Sequence, residues 1–466
     1  MRTLPLLFAL LPAQALASGY FYSDSGVIAS TRGGAWVATA DTRFAQRYNP
    51  AGLMNLDRAE FDLGMSFVQQ NVQFQRIDDD GTEHPVVENQ SAPFNVPEFG
   101  FATPIGDNMA FAFGLYTPYA PSSEYDAVGA QRYTVIDTLI LQGNIGPSFA
   151  WQPIKQIKVG AGLQWGFLTV GQRLKANIAL IESTEAQNDP ANDIAVDVRV
   201  SDLFTPSFNL GVIVEPIEQL AIGISVQPPA GYKARGRLEF DAVGGAYENV
   251  LTPPEGSTEA IWSDEDVALN LALPLEARFG FAVRPIEGLE IELAAHFVNW
   301  KSVDEILIED IDVSIETTLP GLEQTTLPPT IALPASFQSA TTFALGIEGQ
   351  IGDIAEIRGG GFYEPAAVAK RNLAVGTIDM NKVQVGLGGT VKPGDHMMID
   401  IAANMLFFPE TRVRNSAIQQ INALNTENDP TLGPPAGVIV GNGTYNANGW
   451  TAGIGLRWAL GAVEEG

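Results

Sequence analysis

Trp151–Phe167, WQPIKQIKVGAGLQWGF, holds a tight turn and the strand that leaves it. In Gln152-Pro153-Ile154-Lys155-Gln156 the proline ring fixes φ at about −65°, which suits the second position of a β-turn, and polar residues fill the remaining corners. Beyond the turn, Val159, Ala161, Leu163, Trp165 and Phe167 alternate with Lys158, Gly160, Gly162, Gln164 and Gly166. That is the period of two expected of a β-strand, with one bulky apolar face and one small or polar face.

The turn recurs along the chain as Thr103-Pro104-Ile105-Gly106-Asp107, Glu215-Pro216-Ile217-Glu218-Gln219 and Arg284-Pro285-Ile286-Glu287-Gly288. Looser copies follow at Gln350-Ile351-Gly352-Asp353 and Lys392-Pro393-Gly394-Asp395. Six turns divide the chain into seven segments, each with alternating ends and a polar middle. The middles are Asp78-Asp79-Asp80-Gly81, Ser122 to Gly129, Glu182 to Asp193, Gly244 to Asp266, Asp304 to Thr330, Ala366 to Arg371 and Arg412 to Asn448. Seven hairpins give fourteen strands, with short turns and both termini on one side and long loops on the other. An even strand count with that asymmetry predicts an all-β fold, an antiparallel transmembrane β-barrel of the outer-membrane type. The 412 residues from Asn55 to Gly466 allow about 29 per strand and loop, against the 9 to 11 or so that a spanning strand needs.

Other strands repeat the pattern. Leu220, Ile222, Ile224 and Val226 oppose Ala221, Gly223, Ser225 and Gln227, and Trp450 to Leu460 alternate with Thr451 to Ala459 in the last strand. A soluble sandwich also alternates, but its turns would recur every 8 to 12 residues or so. Pro104, Pro153, Pro216 and Pro285 lie 49, 63 and 69 residues apart, which selects the barrel.

Residues 1–17 read as a signal peptide, with Arg2 as the positive start, Leu4 to Leu11 as a short apolar core and Ala15-Leu16-Ala17 as the cleavage site. No later segment offers 18 consecutive apolar residues, so no transmembrane helix is expected. The formal net charge of −28 argues against nucleic acid as a partner. The chain has no cysteine and therefore no disulfide.

The motifs of common chemistries are missing. His84, His296 and His396 are scattered without metal-ligand spacing, and no GxSxG elbow, Walker loop or dinucleotide fingerprint occurs. Neither a metal nor a cofactor is expected, and no enzyme activity. Gly160-Ala161-Gly162 and Gly386-Leu387-Gly388-Gly389 lie inside alternating strands and read as small inward-facing residues. Asp78-Asp79-Asp80-Gly81 lacks the ligand pattern of a dedicated Ca²⁺ loop and reads as a solvated tip. Trp151, Trp165, Trp300, Trp450 and Trp458 suit the aromatic girdles of a barrel.

One stretch refuses to alternate. Gly26–Leu53, GVIASTRGGAWVATADTRFAQRYNPAGL, ends in Asn49-Pro50-Ala51-Gly52 and suits neither a strand nor one long helix. It reads as a compact insert inside the structure that the strands build. Together with Phe113-Gly114-Leu115-Tyr116-Thr117-Pro118, Gln131-Arg132-Tyr133, Gly146-Pro147-Ser148-Phe149-Ala150, Leu273-Pro274, Arg278-Phe279-Gly280 and Trp300-Lys301-Ser302, it resembles the FadL/TodX-type outer-membrane transporters.

The resemblance implies a barrel at residues 58–460 plugged by an N-terminal hatch at 18–57, followed by a polar tail at 461–466. It implies passive transport of long-chain fatty acids or another hydrophobic ligand across the outer membrane of a Gram-negative bacterium. The surroundings would be outer-membrane lipid and lipopolysaccharide, and the expected state is a monomer. Asn49, Pro50, Ala51 and Gly52 are then the gating residues, and Gly114, Thr117 and Pro118 mark a lateral opening at strand three. Family barrels end on an aromatic residue, whereas here Trp458 is followed by Ala459-Leu460 and the tail. Arg132, Arg173, Lys175, Lys233, Arg235, Arg237, Arg278 and Lys301 are candidate partners for a carboxylate, each reading as a solvated rim charge. Aromatic or alkane hydrocarbons are the nearest alternative cargo. A polar-solute porin conflicts with the plug, a lipid hydrolase with the missing Ser/His/Asp constellation, and an adhesive barrel with the modest loops.

Overall fold

The computed structural model describes residues 25–177, 188–246, 248–303, 305–318, 324–327, 329–334, 337–376, 378–420 and 438–460. The expected signal peptide, residues 18–24, the tail and parts of the loops at 182–193, 304–330 and 412–448 lie outside them.

Fourteen antiparallel strands close on themselves. They are β1 Ala59–Arg76, β2 Phe94–Ile105, β3 Met109–Tyr119, β4 Asp137–Ile154, β5 Ile157–Asn177, β6 Asp193–Ile217 and β7 Leu220–Gln227. The second half is β8 Glu276–Ile286, β9 Leu289–Val298, β10 Ala340–Ile351, β11 Ala355–Glu364, β12 Lys382–Gly394, β13 Met397–Phe407 and β14 Gly443–Leu460. Each pairs with the next, and an unbroken ladder from Ala59–Leu460 to Arg76–Gly443 joins β14 to β1. Closure pairs the first strand with the last, so the sheet presents no free outer strand to hydrocarbon. The six tight turns lie at one end, as their sequences predict.

The apolar face points outward. Leu163 is 67% exposed and its neighbour Gln164 is 3% exposed, the reverse of a soluble sandwich and the arrangement that suits lipid outside and a polar lumen within.

Proline punctuates the far end. After Pro228-Pro229 the line of β7 continues as Ala230–Asp241, and Ile261–Leu273 leads through Pro274 into β8. These segments pair with each other, the first also pairs with the upper half of β6, and Glu305–Glu309 and Thr330–Pro334 extend the sheet. Leu174, Val198, Leu238, Phe240 and Trp262 pack there in a large apolar cluster. Trp300 joins it at 1% exposure, so it does not belong to an aromatic girdle; it follows β9 directly and turns back under the loops. Trp151, Trp165 and Trp458 are about half exposed on the outer wall, as a girdle requires.

Residues 25–56 lie inside the barrel. They form two short helices, Val27–Thr31 and Ala45–Tyr48, and a 3-10 turn, Pro50–Asn55. Asn49 caps that turn by accepting from the Ala51 N–H at 3.1 Å, and Pro50 begins it where no amide donor is needed. Ala35, Trp36, Val37, Ala38 and Ala40 are buried to 1% or less. The small inward residues of the strands explain how they fit. A Cβ at Gly160 would overlap the Pro50–Ala51 backbone, one at Gly223 the Val37–Ala38 backbone, and one at Gly360 the backbone of Arg32.

Candidate functional site

The insert carries three arginines, Arg32, Arg43 and Arg47, each at most 1% exposed. A buried guanidinium needs a carboxylate, and in every case the barrel wall supplies it.

Arg32 sits near the tight-turn end. Its guanidinium reaches Glu290 of β9 at 2.9 Å and Glu348 of β10 at 3.2 Å. Beside it Glu292 accepts the amides of Val37 and Ala38 at 2.6 and 3.0 Å and the Thr39 hydroxyl at 2.6 Å. One carboxylate thus orders the bend between the two helices.

Arg43 faces β1 to β3. It grips Asp62 of β1 with Nη2 at 2.6 Å and with Nε, its amide donates to Glu60 at 3.0 Å, and Nη1 donates to the Leu115 carbonyl at 3.3 Å. The side chain lies across Gly100 of β2 and Gly114 of β3, where a Cβ would collide with it. Gly114 is therefore where the insert meets the third strand.

The wall opens beside this contact. Pairing between β2 and β3 stops at Phe99–Leu115, while β2 stays paired to β1 as far as Phe94. Thr117 and Pro118 fall in a register shift between β3 and β4, between Tyr116 and Tyr119. Pro97 and Pro118 have no N–H to bridge the seam. Higher up the wall closes again, where the Ser91 hydroxyl donates to the Ser122 carbonyl at 3.3 Å and the Glu124 amide to Asn89 at 3.0 Å. Between the insert and strands β1, β2, β13 and β14 a cleft of about 310 Å³, its mouth included, is lined by Phe44, Asp62, Glu98, Asp400 and Arg457. Glu98 is 2% exposed and neither carboxylate oxygen has a hydrogen-bond partner.

Arg47 faces β7 to β9. Its Nη1 donates to Glu276 at 3.0 Å and to Gln227 at 3.3 Å. The same oxygen, Glu276 Oε2, also accepts from Arg278 Nη2 at 2.5 Å and stands 3.3 Å from His296 Nε2. Arg278, His296, Tyr48 and Thr342 line a second cleft against Gly33, Gly34 and Val37, about 320 Å³ with its mouth included.

Asn49 to Gly52 lie at the other flank of the insert. Asn49 Nδ2 donates to Val37 O at 2.9 Å and to Val212 O of β6 at 3.1 Å, which ties the segment to the wall. The fold thus places the two groups of expected site residues apart, Asn49 to Gly52 against β5 and β6 and Gly114, Thr117 and Pro118 at the β2–β3 seam.

Two rim readings are overturned. Arg278 and Arg132 are each 5% exposed, Arg278 inside the lumen and Arg132 bound to Asp193 at 2.6 Å. Arg173, Lys233 and Arg235 are about half exposed and paired with Asp137, Glu309 and Asp266, as rim charges are. The inward position of Arg278 was available from its neighbour Phe279, which is 45% exposed on the opposite face. The three insert arginines escaped sequence reading, although an inner plug with three cations implied carboxylates on the inward faces of the strands. Among the described residues no group of three or more His, Cys, Asp or Glu is arranged to hold a metal ion. Asp78-Asp79-Asp80-Gly81 forms an exposed turn with Gly81 at φ 89°.

Residues 8–432 match the family described as outer membrane protein transport protein (OMPP1/FadL/TodX). A putative outer membrane protein of Neisseria meningitidis is 26% identical over 132 residues, a segment covering 27% of this chain and 28% of that protein. The fold superposes on a Pseudomonas aeruginosa FadL homologue with a TM-score of 0.74 at 15% identity, covering 95% of this chain and 100% of the other. With the Pseudomonas putida toluene transporter TodX the score is 0.64 at 14% identity, covering 96% and 99%. The chain belongs to the OMPP1/FadL/TodX family of outer-membrane β-barrel transport proteins.

Proposed function

We propose that this barrel passively conducts hydrophobic molecules, specifically long-chain fatty acids, from the extracellular side into the outer membrane through the window between β2 and β3. The observation that carries the reading is the window itself, bounded below by Phe99–Leu115 and backed by the insert residues Arg43 and Phe44. An apolar solute gains nothing from a water-filled pore, whereas a sideways path keeps its surface covered. The apolar cluster in the loop region is the capture surface, and the insert acts as a hatch whose rearrangement admits the ligand. Asn49 to Gly52 are the segment that shifts, held to the wall by the hydrogen bond from Asn49 Nδ2 to the Val212 carbonyl.

A second reading has its own support. Tyr119, Trp300 and Phe337 stack edge to face at 6.4 and 5.8 Å inside the capture cluster, a surface suited to an aromatic hydrocarbon. Uptake of labelled oleate and of labelled toluene by cells expressing the protein separates the two. Saturable oleate uptake above that of empty-vector cells is the expected result. Toluene uptake alone would install the second reading, and uptake of neither would end both.

A further inference from the structure

We propose that the outer wall at β6 and the Ala230–Asp241 segment binds one lipid of the outer leaflet, a phosphorylated glycolipid of the lipid A type. Arg199, Lys233, Arg235 and Arg237 hold its phosphates, and an acyl chain lies in a trough beside Gly231. The site is on the wall, outside the lumen, and does not depend on which cargo the barrel carries.

The trough comes from a break in the ladder. β6 pairs with β7 up to Leu210–Val226 and pairs again, with the Ala230–Asp241 segment, from Ser201–Arg235 onward. The register is the same on both sides of the break, yet each strand turns over within it. In β6 the buried positions change from Asn209 and Thr205 to Val200 and Val198, and on the facing strand from Ser225 and Gln227 to Ala230 and Tyr232. The first change falls at Leu203-Phe204 and the second at Pro228-Pro229, so the strands between them are out of phase. Continuing the register sets Phe204, 63% exposed, opposite Tyr232, 3% exposed. Facing residues of an antiparallel ladder must point to one side, and Pro206, Pro228 and Pro229 have no N–H to donate.

The misfit leaves a recess on the lipid side. No atom lies within 4 Å of where a Cβ on Gly231 would stand. Its ladder partner Ala272 is also small, while Leu203 and Phe204 stand proud on the other side. Trp165 of the girdle is 6.4 Å from Phe204, which puts the trough at the boundary where acyl chains meet head groups.

Charge lies directly beyond it. Lys233, Arg235 and Arg237 follow Gly231 on the same outer face, and Arg199 is the ladder partner of Arg237. Like charges directly opposite repel, and an anion lying over both turns that cost into attraction. Each cation touches a carboxylate: Arg199 meets Asp197 at 2.9 Å, Lys233 Glu309 at 3.6 Å, Arg235 Asp266 and Asp310 at 3.0 and 3.2 Å, and Arg237 Glu239 at 3.2 Å. Exposed pairs of this kind hold weakly, and a phosphate that meets a guanidinium with two oxygens displaces them. The upper wall at β1 and β14 differs, exposing Asn71, Gln73, Asn446 and Asn448 in place of cations. In a chain with 26 Lys+Arg against 54 Asp+Glu, four neighbouring outward cations mark this sector alone of the two.

The test measures retention of lipid A by the full-length protein in a non-ionic detergent, by native mass spectrometry, against lipid A stripped of its phosphates. Wild-type protein is expected to hold one phosphorylated lipid at least about tenfold more tightly than the stripped form, the ratio for a charge-assisted contact. Arg199→Gln combined with Arg237→Gln is expected to bring the two lipids to equal affinity. Gly231→Leu fills the trough and is expected to weaken both lipids alike. No preference for the phosphorylated lipid in the wild-type protein, or a preference that survives the double substitution, overturns the site. Displacement of lipid A by inorganic phosphate together with indifference to Gly231→Leu would mean an anion site without a lipid, and equal retention of phosphatidylglycerol would mean an unspecific one; both overturn the proposal. If the double variant does not fold, Lys233→Gln, expected to lower the preference without removing it, decides.

Discussion

The two flanks of the insert meet the wall through different arrangements of charge. On the flank facing β1 and β2, Arg43 and Arg457 face Glu60, Asp62, Glu98 and Asp400, so carboxylates outnumber guanidiniums beside the cleft there. On the β7–β9 flank, Arg47, Arg278 and His296 converge on one oxygen of a single carboxylate, Glu276, beside the other cleft.

The largest effect removes both flanks together. Deleting Gly26–Leu53 leaves fourteen strands closed by their own ladder and a lumen lined by small residues such as Gly160, Gly223 and Gly360. Liposomes carrying this variant are expected to become freely permeable to small sugars, while the intact protein keeps them sealed. Unchanged permeability would show that the insert is not the plug.

Next comes a change that leaves both clefts intact and closes only the window between β2 and β3. The chain contains no cysteine, so a pair introduced by Pro97→Cys and Thr117→Cys is the sole thiol pair. These positions lie two residues above the last β2–β3 pair, Phe99–Leu115, on each strand. Oxidation is expected to abolish oleate uptake and reduction to restore it, with thiol titration reporting closure. Full uptake through the oxidised barrel would move the exit elsewhere.

How much of this was legible in the sequence follows from what sets each feature. Lipid fixes the face and reach of a strand, so the alternation at Val159–Phe167 and the proline turns were enough for the barrel and its fourteen strands. The insert stood out because Gly26–Leu53 has no such period. Its partners did not, because Arg47 and Glu276 are 229 residues apart and only the closed register brings them together. Trp300 shows the same limit: a tryptophan beside a strand end carries no information about whether the chain then turns outward to the interface or inward beneath the loops. Arg278 was within reach, since alternation with Phe279 alone sends it into the lumen.

The finest distinction between the flanks is how each answers the same substitution. Arg43→Gln strands Asp62 in a buried site already rich in carboxylate, and breaking a buried pair on one side costs about 3–5 kcal/mol. Arg47→Gln leaves Glu276 in contact with Arg278 at 2.5 Å, so the lost pair is replaced by one already present. Amide hydrogen exchange across the insert reads the difference, because local opening follows the free energy that holds the segment shut. Arg43→Gln is expected to speed exchange within Gly26–Leu53 on the order of a hundredfold, the rate equivalent of about 3 kcal/mol. Arg47→Gln is expected to change it only a few-fold. Equal acceleration by both would mean that Arg47 holds the insert as Arg43 does, and the difference between the two flanks would be lost.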